Sequence, residues 1–534
     1  MAFGGVACES KACSQIGINL LAHGGNAVDA WVGTQLCVGV IGMQHSGLGG
    51  GGFSLIRDQS GNYTVIDYRE AAPAAAFQDM YLGNERGSVF SGLAAAVPGE
   101  LRGLEIAHQK FGRLPWRSVV HPAANVARHG FEVTEDLVRY MDYAINFAKW
   151  NFLVEDPSWA IDFAPSGKLV KFGDVMTRKR YADVLDAVAD GGAEVFYTGP
   201  IANYTIAALQ ADNGTMTLED MENYEAIVRQ PINITYRGYK LFSSGAPSSG
   251  AVCLSTLKTM ETFPTDDTPK SNLTLHRFVE SMRFAYGAHQ QLADPRFVQD
   301  VDLLETVMLS DSGAAATRAH IFDNTTQPVG HYLAQPYYTQ PSHGTSHIVA
   351  VDASGMAVSS TTTVNTLFGN IVMVPETGII LNNQMNDFSI PGKSNEFGYA
   401  PAPVNFIRPG KRPLSSITPV IVEHPNGTLY VSVGAAGGSR IISSTTQVVW
   451  HILEQGMNMT TAIREPRFHD QLMPNLLAVE YSFDNASTAS MLERNHNVTW
   501  VREGVSAVQG VLITSDTFEA VGEPRQKNSG GLAL

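Results

Sequence analysis

One junction, between Gly344 and Thr345, constrains this chain more than any other feature of its sequence. A loop rich in Pro, Gln and Tyr (335–341) leads to His343, and apolar β-branched residues crowd the segment 348–351. Such a run after a loop is typical of a buried strand. The sequence therefore predicts that Thr345 stands where a flexible linker meets a strand.

A Gly-Thr pair at the start of a strand is often an ordinary junction between a loop and a strand, and on these two residues alone that interpretation is favoured. The same pair can also carry chemistry. If the bond were cut, Thr345 would gain an α-amine, whose pKa of about 7.7–8.0 lets it accept the proton of its own hydroxyl. The hydroxyl could cut the bond by attacking the Gly344 carbonyl, since glycine offers no side chain that hinders the attack.

The composition of the chain excludes some classes of protein. Of its 534 residues 44% are apolar, which is ample for a large core, and the formal net charge is -15. We expect no nucleic-acid partner, because no basic patch of the necessary size is visible. No apolar run of about 18 residues, the length of a membrane span, occurs.

The distribution of Asn-x-Ser/Thr triplets points to a secretory pathway. Nine of the ten triplets carry Thr, a number and bias that favour a chain exposed to the glycosylating machinery. We expect an extracellular, cell-surface or vacuolar protein. Because residues 1–7 lack the features of a signal peptide, we also expect that a signal or anchor preceded Met1. The acceptor asparagines are Asn62, Asn203, Asn213, Asn233, Asn272, Asn324, Asn426, Asn458, Asn485 and Asn497.

Four cysteines allow three complete pairings. Cys13 and Cys37 each lie in an apolar helical stretch, and two packed helices could bring them together. We predict a Cys13–Cys37 disulfide, with separate buried thiols as the alternative.

The first half of the chain is mostly helical, with strands near its beginning. Periodicity predicts strands over 3–8, 53–56 and 63–69, and the main helices over 9–23, 27–42, 97–111, 115–129, 181–190, 217–224, 249–262 and 273–292. Segment 46–53 contains G-x-G-x-x-G, but it follows a helix and precedes a strand, the reverse of a dinucleotide site. Its glycines more plausibly let the backbone approach a packed strand or a site. The segment 310–344 is polar and poorly periodic, which suits a mobile stretch.

After Thr345 the predicted secondary structure changes to short strands with helices between them. We predict strands over 345–351, 356–363, 377–382, 417–423, 428–434, 477–481, 508–514 and 517–521, and helices over 439–455 and 486–495. Strands in both halves with helices around them predict two stacked sheets with helices outside, built as one interleaved core.

Small polar stretches at predicted strand ends suggest a site around Thr345. Thr363 and Asn365 end the hairpin partner of the Thr345 strand, 382–388 combines amides with a carboxylate, and Ser415-Ser416 follows Pro413. Gly437 and Gly438 precede a helix, where backbone N–H groups suit a developing oxyanion. Each stretch alone could simply form a turn, because these residue types are common in turns.

Arg69 leaves a strand just before a turn. Its planar guanidinium matches the two oxygens of a carboxylate, so it could act as a clamp. The alternative, which the local sequence favours, is an exposed ion pair with Glu70 or Asp67.

Together these motifs closely resemble the gamma-glutamyltranspeptidases, members of the N-terminal-nucleophile hydrolase superfamily. The resemblance is near full-length, since further matching motifs lie in the first half, in the order and spacing of the family. The matching stretches are 24–30, 46–53, 67–73, 97–99, 344–347, 363–365, 382–388, 413–416 and 434–438.

The resemblance implies a role for each matching residue. Thr345 would be the autocleavage residue and the nucleophile, with Thr363 hydrogen-bonded to it. The oxyanion hole would be formed by Gly437 and Gly438. The α-carboxylate of the substrate would be held by Arg69, Ser415 and Ser416, and its α-ammonium by Asn365, Gln384 and Asp387. Position 384 is Gln where some members carry Glu, so Asp387 would be the only formal anion for the ammonium.

The resemblance also implies an α+β fold, the four-layer αββα sandwich of this superfamily. Cleavage would divide the chain into 1–344 and 345–534, which stay together as a heterodimer. Cys13 and Cys37 fall where animal members have a disulfide, and 389–409 resembles a loop that flanks the pocket in eukaryotic members.

The implied activity is acyl transfer from γ-glutamyl compounds such as glutathione to water or to an amino acid or dipeptide, with no metal or cofactor. One rival is an acylase of the same superfamily, of the glutaryl β-lactam type, which would not need the ammonium-binding set. The other is an uncleaved binding or scaffold protein.

Overall fold

The fold is organised around two β-sheets stacked face to face. The computed structural model describes residues 3–264, 271–333, 337–338, 344–393, 400–515 and 517–534. Its strands are β1 (Gly4–Cys8), β2 (Gly51–Arg57), β3 (Tyr63–Asp67), β4 (Phe131–Glu132), β5 (Val175–Met176), β6 (Ile227–Arg229), β7 (Ile232–Tyr236), β8 (Tyr239–Ser243), β9 (Tyr337–Tyr338), β10 (Gly344–Asp352), β11 (Ala357–Asn365), β12 (Ala400–Pro401), β13 (Val420–Glu423), β14 (Leu429–Ala436), β15 (Phe468–His469), β16 (Leu477–Glu480), β17 (Val498–Val501), β18 (Ala507–Ile513), β19 (Phe518–Val521) and β20 (Gly530–Ala533).

Helices cover the outer faces of both sheets and form the connections. They are α1 (Lys11–Ala22), α2 (Ala27–Ile41), α3 (Glu100–Phe111), α4 (Trp116–His129), α5 (Glu135–Ala148), α6 (Phe152–Glu155), α7 (Pro157–Phe163), α8 (Lys179–Gly191), α9 (Glu194–Tyr197), α10 (Gly199–Ala211), α11 (Leu218–Glu222), α12 (Gly250–Glu261), α13 (Asn272–His289), α14 (Val301–Leu309), α15 (Asp311–Ala319), α16 (Arg440–Gln455), α17 (Met459–Arg464) and α18 (Asn485–Glu493). None of these described helices has the length and hydropathy needed to cross a membrane.

Each sheet mixes strands from before and after Gly344. The first sheet has the order β20-β1-β10-β11-β2-β3-β6, and the second has the order β19-β18-β14-β13-β8-β7, with antiparallel neighbours throughout. Neither half of the chain can complete a sheet alone. The prediction of one interleaved core is therefore confirmed.

The layers follow from the alternation of side chains along the central strands. In β10, Ile348 and Ala350 join the core under α1 and α2, whereas Val349 and Val351 join the core between the sheets. On the far side, α12, α13 and α16 pack with the second sheet around a third core. Since β10 is buried on both faces, its residues 348–351 form a continuous apolar run. The predicted αββα sandwich is confirmed.

Local signals predicted several features correctly. Asn26 caps α2, where its side chain accepts hydrogen bonds from the N–H groups of Val28 and Asp29. The Cys13–Cys37 disulfide joins α1 to α2, while Cys8 and Cys253 are buried free thiols.

The glycine-rich segment before β2 serves close packing between strands. A Cβ placed on Gly50 would lie 2.1 Å from the carbonyl oxygen of Thr363. The interpretation of these glycines as a close backbone approach is confirmed.

Two expectations about secondary structure were wrong. Residues 377–382 form a turn with isolated bridges rather than a strand, because Gly378 has a positive φ of 68° and its N–H returns to Val374. In the segment expected to be mobile, 311–319 is a helix whose first turn is capped by Ser310. The residues 334–336 and 339–343 lie outside the described part of the chain, as do 394–399 of the predicted flanking loop.

The prediction also missed the strands β7 and β8, which supply one edge of the second sheet between the predicted helices 217–224 and 249–262. Arg237 and Gly238 join them in a two-residue turn with φ angles of 50° and 86°. Positive φ at both central positions matches the turn type that hairpins prefer. The alternation along these two strands was the signal that the prediction passed over.

Candidate active site

The register of β10 against β11 brings Thr345 opposite Thr363. The pairing shifts by a bulge between Gly344, which lies opposite Asn365, and Thr345. The side chain of Thr345 is almost fully buried, and its Oγ1 lies 3.3 Å from Oγ1 of Thr363. The predicted contact between these two hydroxyls is therefore present.

The hydroxyl of Thr363 links the residues on both sides of the Gly344–Thr345 bond. It donates to the carbonyl oxygen of Gly344 at 2.5 Å and accepts from Thr345 Oγ1 and from the N–H of Asn365. Because a hydroxyl carries one proton and two lone pairs, this arrangement uses its full capacity. A donor is thus held on the carbonyl that Thr345 would have to attack.

Two amide oxygens near Thr363 are buried without a partner among the described residues. Asn365 donates its Nδ2 to Asn383 O, and Gln384 donates its Nε2 to Asp387 Oδ2 at 2.5 Å. These bonds leave Asn365 Oδ1 and Gln384 Oε1 without donors. A buried acceptor without a donor costs about 1–3 kcal/mol, so these atoms suit a ligand that brings N–H groups.

Arg69 is buried, and the alternative of an exposed ion pair is wrong. Its side chain is 1% exposed and forms an ion pair with Asp387. Its Nε and Nη2 also donate to the carbonyl oxygens of Pro413 and Leu414, both at 3.3 Å. The guanidinium, from the first half of the chain, is thereby held beside the Ser415-Ser416 segment.

Burial sets the charges next to Arg69. Burial raises the pKa of Asp387, an effect that the Arg69 guanidinium partly offsets. Burial raises the pKa of Glu70 to about 8, and both of its carboxylate oxygens lack hydrogen-bond partners among the described residues. At neutral pH Glu70 is therefore largely protonated, which leaves Asp387 as the anion that faces Arg69.

Ser415 and Ser416 lie on a segment that is braced by the turn before α12. The N–H of Ser415 donates to Pro247 O at 2.8 Å, and the N–H of Ser249 donates to Ile417 O at 2.9 Å. Ser415 Oγ accepts from the N–H of Ile417 at 3.2 Å, so its own proton is available for another acceptor.

Gly437 and Gly438 connect β14 to α16. Their φ angles are 124° and 61°, in the left-handed region that favours glycine. Neither N–H donates to another described residue, whereas their carbonyl oxygens accept from Arg440 and Ile441. Two unpaired N–H groups before a helix fit the predicted oxyanion hole.

One pocket collects most of the predicted residues. Its walls include Arg69, Thr345, Thr363, Asp387, Ser415, Ser416 and Gly438. Asn365 and Gln384 stand one hydrogen bond behind it, through Thr363 and Asp387, and Gly437 adjoins Gly438.

The prediction from the sequence did not include His289, which also lines the pocket together with Leu414, Ile417 and Ile441. A single histidine within an amphipathic helix gave no signal.

Within the described residues, one group of side chains has the composition of a metal site. It comprises His276, Glu280 and His496, all of them buried. The two imidazoles are hydrogen-bonded to each other at 2.8 Å, and Glu280 accepts from the hydroxyls of Thr326 and Tyr332. None of these three side chains lines the pocket, so we assign them no part in its chemistry.

The sequence and the fold both have known relatives. The model of the family described as Gamma-glutamyltranspeptidase matches residues 13–533 of this chain. The chain is 48% identical to a "Glutathione hydrolase proenzyme" of Arthroderma benhamiae, with 99% of this chain and 93% of that protein covered. It is 43% identical to a "Glutathione hydrolase" of Aspergillus flavus, with 99% and 89% covered. A cephalosporin acylase structure from Bacillus halodurans superposes with a TM-score of 0.85 at 25% identity, covering 100% of this chain and 96% of that one.

Two stacked sheets with helices on both outer faces, and with Thr345 near the start of a central strand, form the fold of an N-terminal-nucleophile hydrolase, which the cephalosporin acylase structure shares. The sequence match extends over nearly the whole chain. The chain belongs to the gamma-glutamyltranspeptidase family.

The ion pair between Arg69 and Asp387 makes a prediction about stability. Arg69→Ala leaves the Asp387 carboxylate buried and unpaired, so we expect the free energy of unfolding at neutral pH to fall by about 3 kcal/mol. The loss of Arg69 raises the folded-state pKa of Asp387 further, so the deficit shrinks as the pH falls and Asp387 takes up a proton. Chemical unfolding at several pH values measures this.

The double variant Arg69→Ala/Asp387→Asn is the control, because it removes both charges and should recover part of the loss. A deficit that is independent of pH and unchanged in the double variant would contradict the assignment.

Proposed function

We propose that this chain is a proenzyme that cuts itself between Gly344 and Thr345 and then transfers γ-glutamyl groups from glutathione and related compounds. Its membership of the gamma-glutamyltranspeptidase family supports this, as do the names of its relatives, which are glutathione hydrolases. The cleavage position and the roles of the individual residues are inferred from the geometry of the site.

Self-cleavage is supported by the hydrogen bonds around the junction. Thr363 donates to the Gly344 carbonyl oxygen and would stabilise the negative charge that develops there when Thr345 Oγ1 attacks. The acyl group of Gly344 then moves from nitrogen to oxygen, and water hydrolyses the ester. A Cβ on residue 344 would lie 2.7 Å from Asn365 O, so only glycine fits this bulge without displacement.

The observation that carries the substrate class is the arrangement of polar groups in the wall of the pocket and directly behind it, two of which have no hydrogen-bond partner among the described residues. Asn365 Oδ1, Gln384 Oε1 and the Asp387 carboxylate offer three acceptors, which matches the three N–H groups of an α-ammonium. Arg69 and the hydroxyls of Ser415 and Ser416 offer donors for an α-carboxylate. A γ-glutamyl group carries both charges at the end away from its γ-amide, so binding there would direct the amide toward Thr345.

The proposed first step forms an ester. The α-amine of Thr345 accepts the proton of its own Oγ1, which attacks the γ-carbonyl carbon while the N–H groups of Gly437 and Gly438 stabilise the oxyanion. The C–N bond breaks, and the leaving amine takes the proton from the α-ammonium of Thr345. In the second step water, or the amine of an amino acid or dipeptide, attacks the ester and returns Oγ1 to its hydroxyl form.

The two products of cleavage would remain one heterodimer. Both sheets contain strands from 1–344 and from 345–534. The pocket likewise needs Arg69 from the first segment beside Thr345 and Asp387 from the second. Separation would expose both sheet interiors, which the buried apolar area opposes.

An acylase of the same superfamily is the second candidate, because the cephalosporin acylase structure shares the fold over the whole chain. A glutaryl group lacks the ammonium and would leave the acceptors of Asn365 and Gln384 unpaired. The buried acceptors therefore favour a γ-glutamyl substrate.

Self-cleavage predicts that processing depends on the hydroxyl of Thr345. Thr345→Ala should run as one chain on a denaturing gel, whereas the wild type should give two pieces corresponding to 1–344 and 345–534. Thr345→Ser is the matched control, since it keeps a hydroxyl and should still be cut, more slowly. A Thr345→Ala protein that is cut at the same bond would contradict the proposal of self-cleavage.

The substrate class predicts a strong preference between two anilides that differ only in the α-amino group. We expect the wild type to hydrolyse γ-glutamyl anilide with a kcat/KM at least about a hundredfold above that for glutaryl anilide, because the latter leaves buried acceptors unpaired. Gln384→Ala should lower the ratio of kcat/KM for γ-glutamyl anilide to kcat/KM for glutaryl anilide. Equal rates on both anilides in the wild type would favour the acylase instead.

We also propose that the chain passes through the secretory pathway to an extracellular, cell-surface or vacuolar location. The accessibility of the ten Asn-x-Ser/Thr acceptors supports this, since nine of them are exposed and Asn272 is half-buried. Asn272 Oδ1 additionally accepts a hydrogen bond from Ser487.

Secretion from a eukaryotic host should therefore yield a glycoprotein. Enzymatic removal of N-glycans should lower its apparent mass and convert the modified asparagines to aspartates, which peptide mass spectrometry locates. We expect high occupancy at exposed sites such as Asn203 and Asn426, and lower occupancy at Asn272. A secreted protein with unmodified asparagines at all ten positions would contradict this proposal.

A further inference from the structure

His289, the last residue of α13, forms part of the pocket wall although its sequence context gave no indication of a role. The residue is 3% exposed, and it lines the pocket together with Thr345 and Ser415. The imidazole therefore lies beside both the nucleophile and the proposed carboxylate site.

The hydrogen bonds around Ser249 identify the tautomer of this imidazole. His289 Nε2 lies 2.7 Å from Ser249 Oγ, and Ser249 Oγ donates to Ser415 O at 2.6 Å. A hydroxyl has one proton, which Ser249 gives to that carbonyl. His289 must therefore donate through Nε2–H, and its Nδ1 is unprotonated.

The imidazole is neutral at physiological pH. Burial lowers the pKa of His289 to about 4, and Nδ1 has no hydrogen-bond partner among the described residues. His289 thus gives Ser249 a fixed donor without adding a charge that would compete with Arg69 for a carboxylate.

Ser249 is the point through which His289 acts on the Ser415-Ser416 segment. The N–H of Ser249 donates to Ile417 O, and its hydroxyl donates to Ser415 O. These two bonds hold the backbone on both sides of Ser416. Without the Nε2–H donor, the Ser249 hydroxyl could rotate away, and the carbonyl of Ser415 would lose its partner.

We propose that His289 is a positioning residue for substrate binding, which acts through Ser249 to hold the hydroxyls of Ser415 and Ser416 in the geometry that an α-carboxylate requires. This inference rests on the proposed function, since it assigns His289 to the carboxylate end of the γ-glutamyl group. His289 belongs to 1–344, whereas Ser415 and Ser416 belong to 345–534. The link therefore crosses between the two proposed fragments.

Two substitutions of His289 separate the donor from the bulk of the side chain. The amide nitrogen of Gln can replace the Nε2–H donor, whereas Asn is too short to reach Ser249. We expect His289→Asn to raise KM for γ-glutamyl anilide about tenfold, the value of one hydrogen bond, with kcat changed by less than about threefold. His289→Gln should stay within about threefold of the wild type in KM.

An analogue without the α-carboxylate tests where the effect arises. The inhibition constant of 4-aminobutanoyl anilide should be the same in the wild type and His289→Asn, because this ligand makes no contact with Ser415 and Ser416 through a carboxylate. An equal loss of affinity for both anilides, or a Gln variant as impaired as the Asn variant, would overturn the proposal.

Ser249→Ala provides the same test from the other end of the link, should His289→Asn fail to fold. It should raise KM similarly, with the inhibition constant of 4-aminobutanoyl anilide again unchanged. An unaltered KM in Ser249→Ala would also overturn the inference. A wild type inactive on γ-glutamyl anilide would instead refute the proposed function, and an active wild type with unaffected variants would refute this inference alone.

Discussion

The antiparallel pairing of β10 with β11 decides which groups surround the Gly344–Thr345 bond. A bulge at this bond lets Gly344 lie opposite Asn365 while Thr345 lies opposite Thr363. Because side chains alternate along a strand, a slip of one residue would turn Thr345 away from the pocket. The register is secured by burial of both faces of β10, where Ile348 faces the helices and Val349 faces the second sheet.

The charges of the pocket are held in place by burial rather than by solvent-exposed pairing. Arg69 is fixed by two backbone carbonyls and by Asp387, and burial keeps the neighbouring Glu70 largely protonated at neutral pH. The site therefore presents one cation and one anion at short range. Such a pair is matched by a zwitterionic group, whose two charges can each take one partner.

The fold is shared with proteins that have other substrates, as the superposition with a cephalosporin acylase demonstrates. The proposed substrate class therefore rests on this chain's own polar groups, above all the buried acceptors of Asn365 and Gln384. Function on a common fold is carried by such local sites. His289 and Ser249 extend this set, since they reach the Ser415-Ser416 segment from the opposite half of the chain.

Much of this architecture could be predicted from local sequence. The strand after Gly344 and the helix cap at Asn26 carry short-range signals, whereas the roles of the motif residues from Arg69 to Gly438 follow from the resemblance to the family. The strands β7 and β8 were missed although their side chains alternate, and residues 377–382 were taken for a strand because a short apolar run is ambiguous between structures. Arg69 read locally as a surface ion pair, and His289 gave no signal, because burial and contacts between residues far apart in the chain arise only when the layers pack. Residue types and their order follow from the sequence, whereas the pairing of Arg69 with Asp387 and the link from His289 to Ser415 require two interleaved sheets to bring distant segments together.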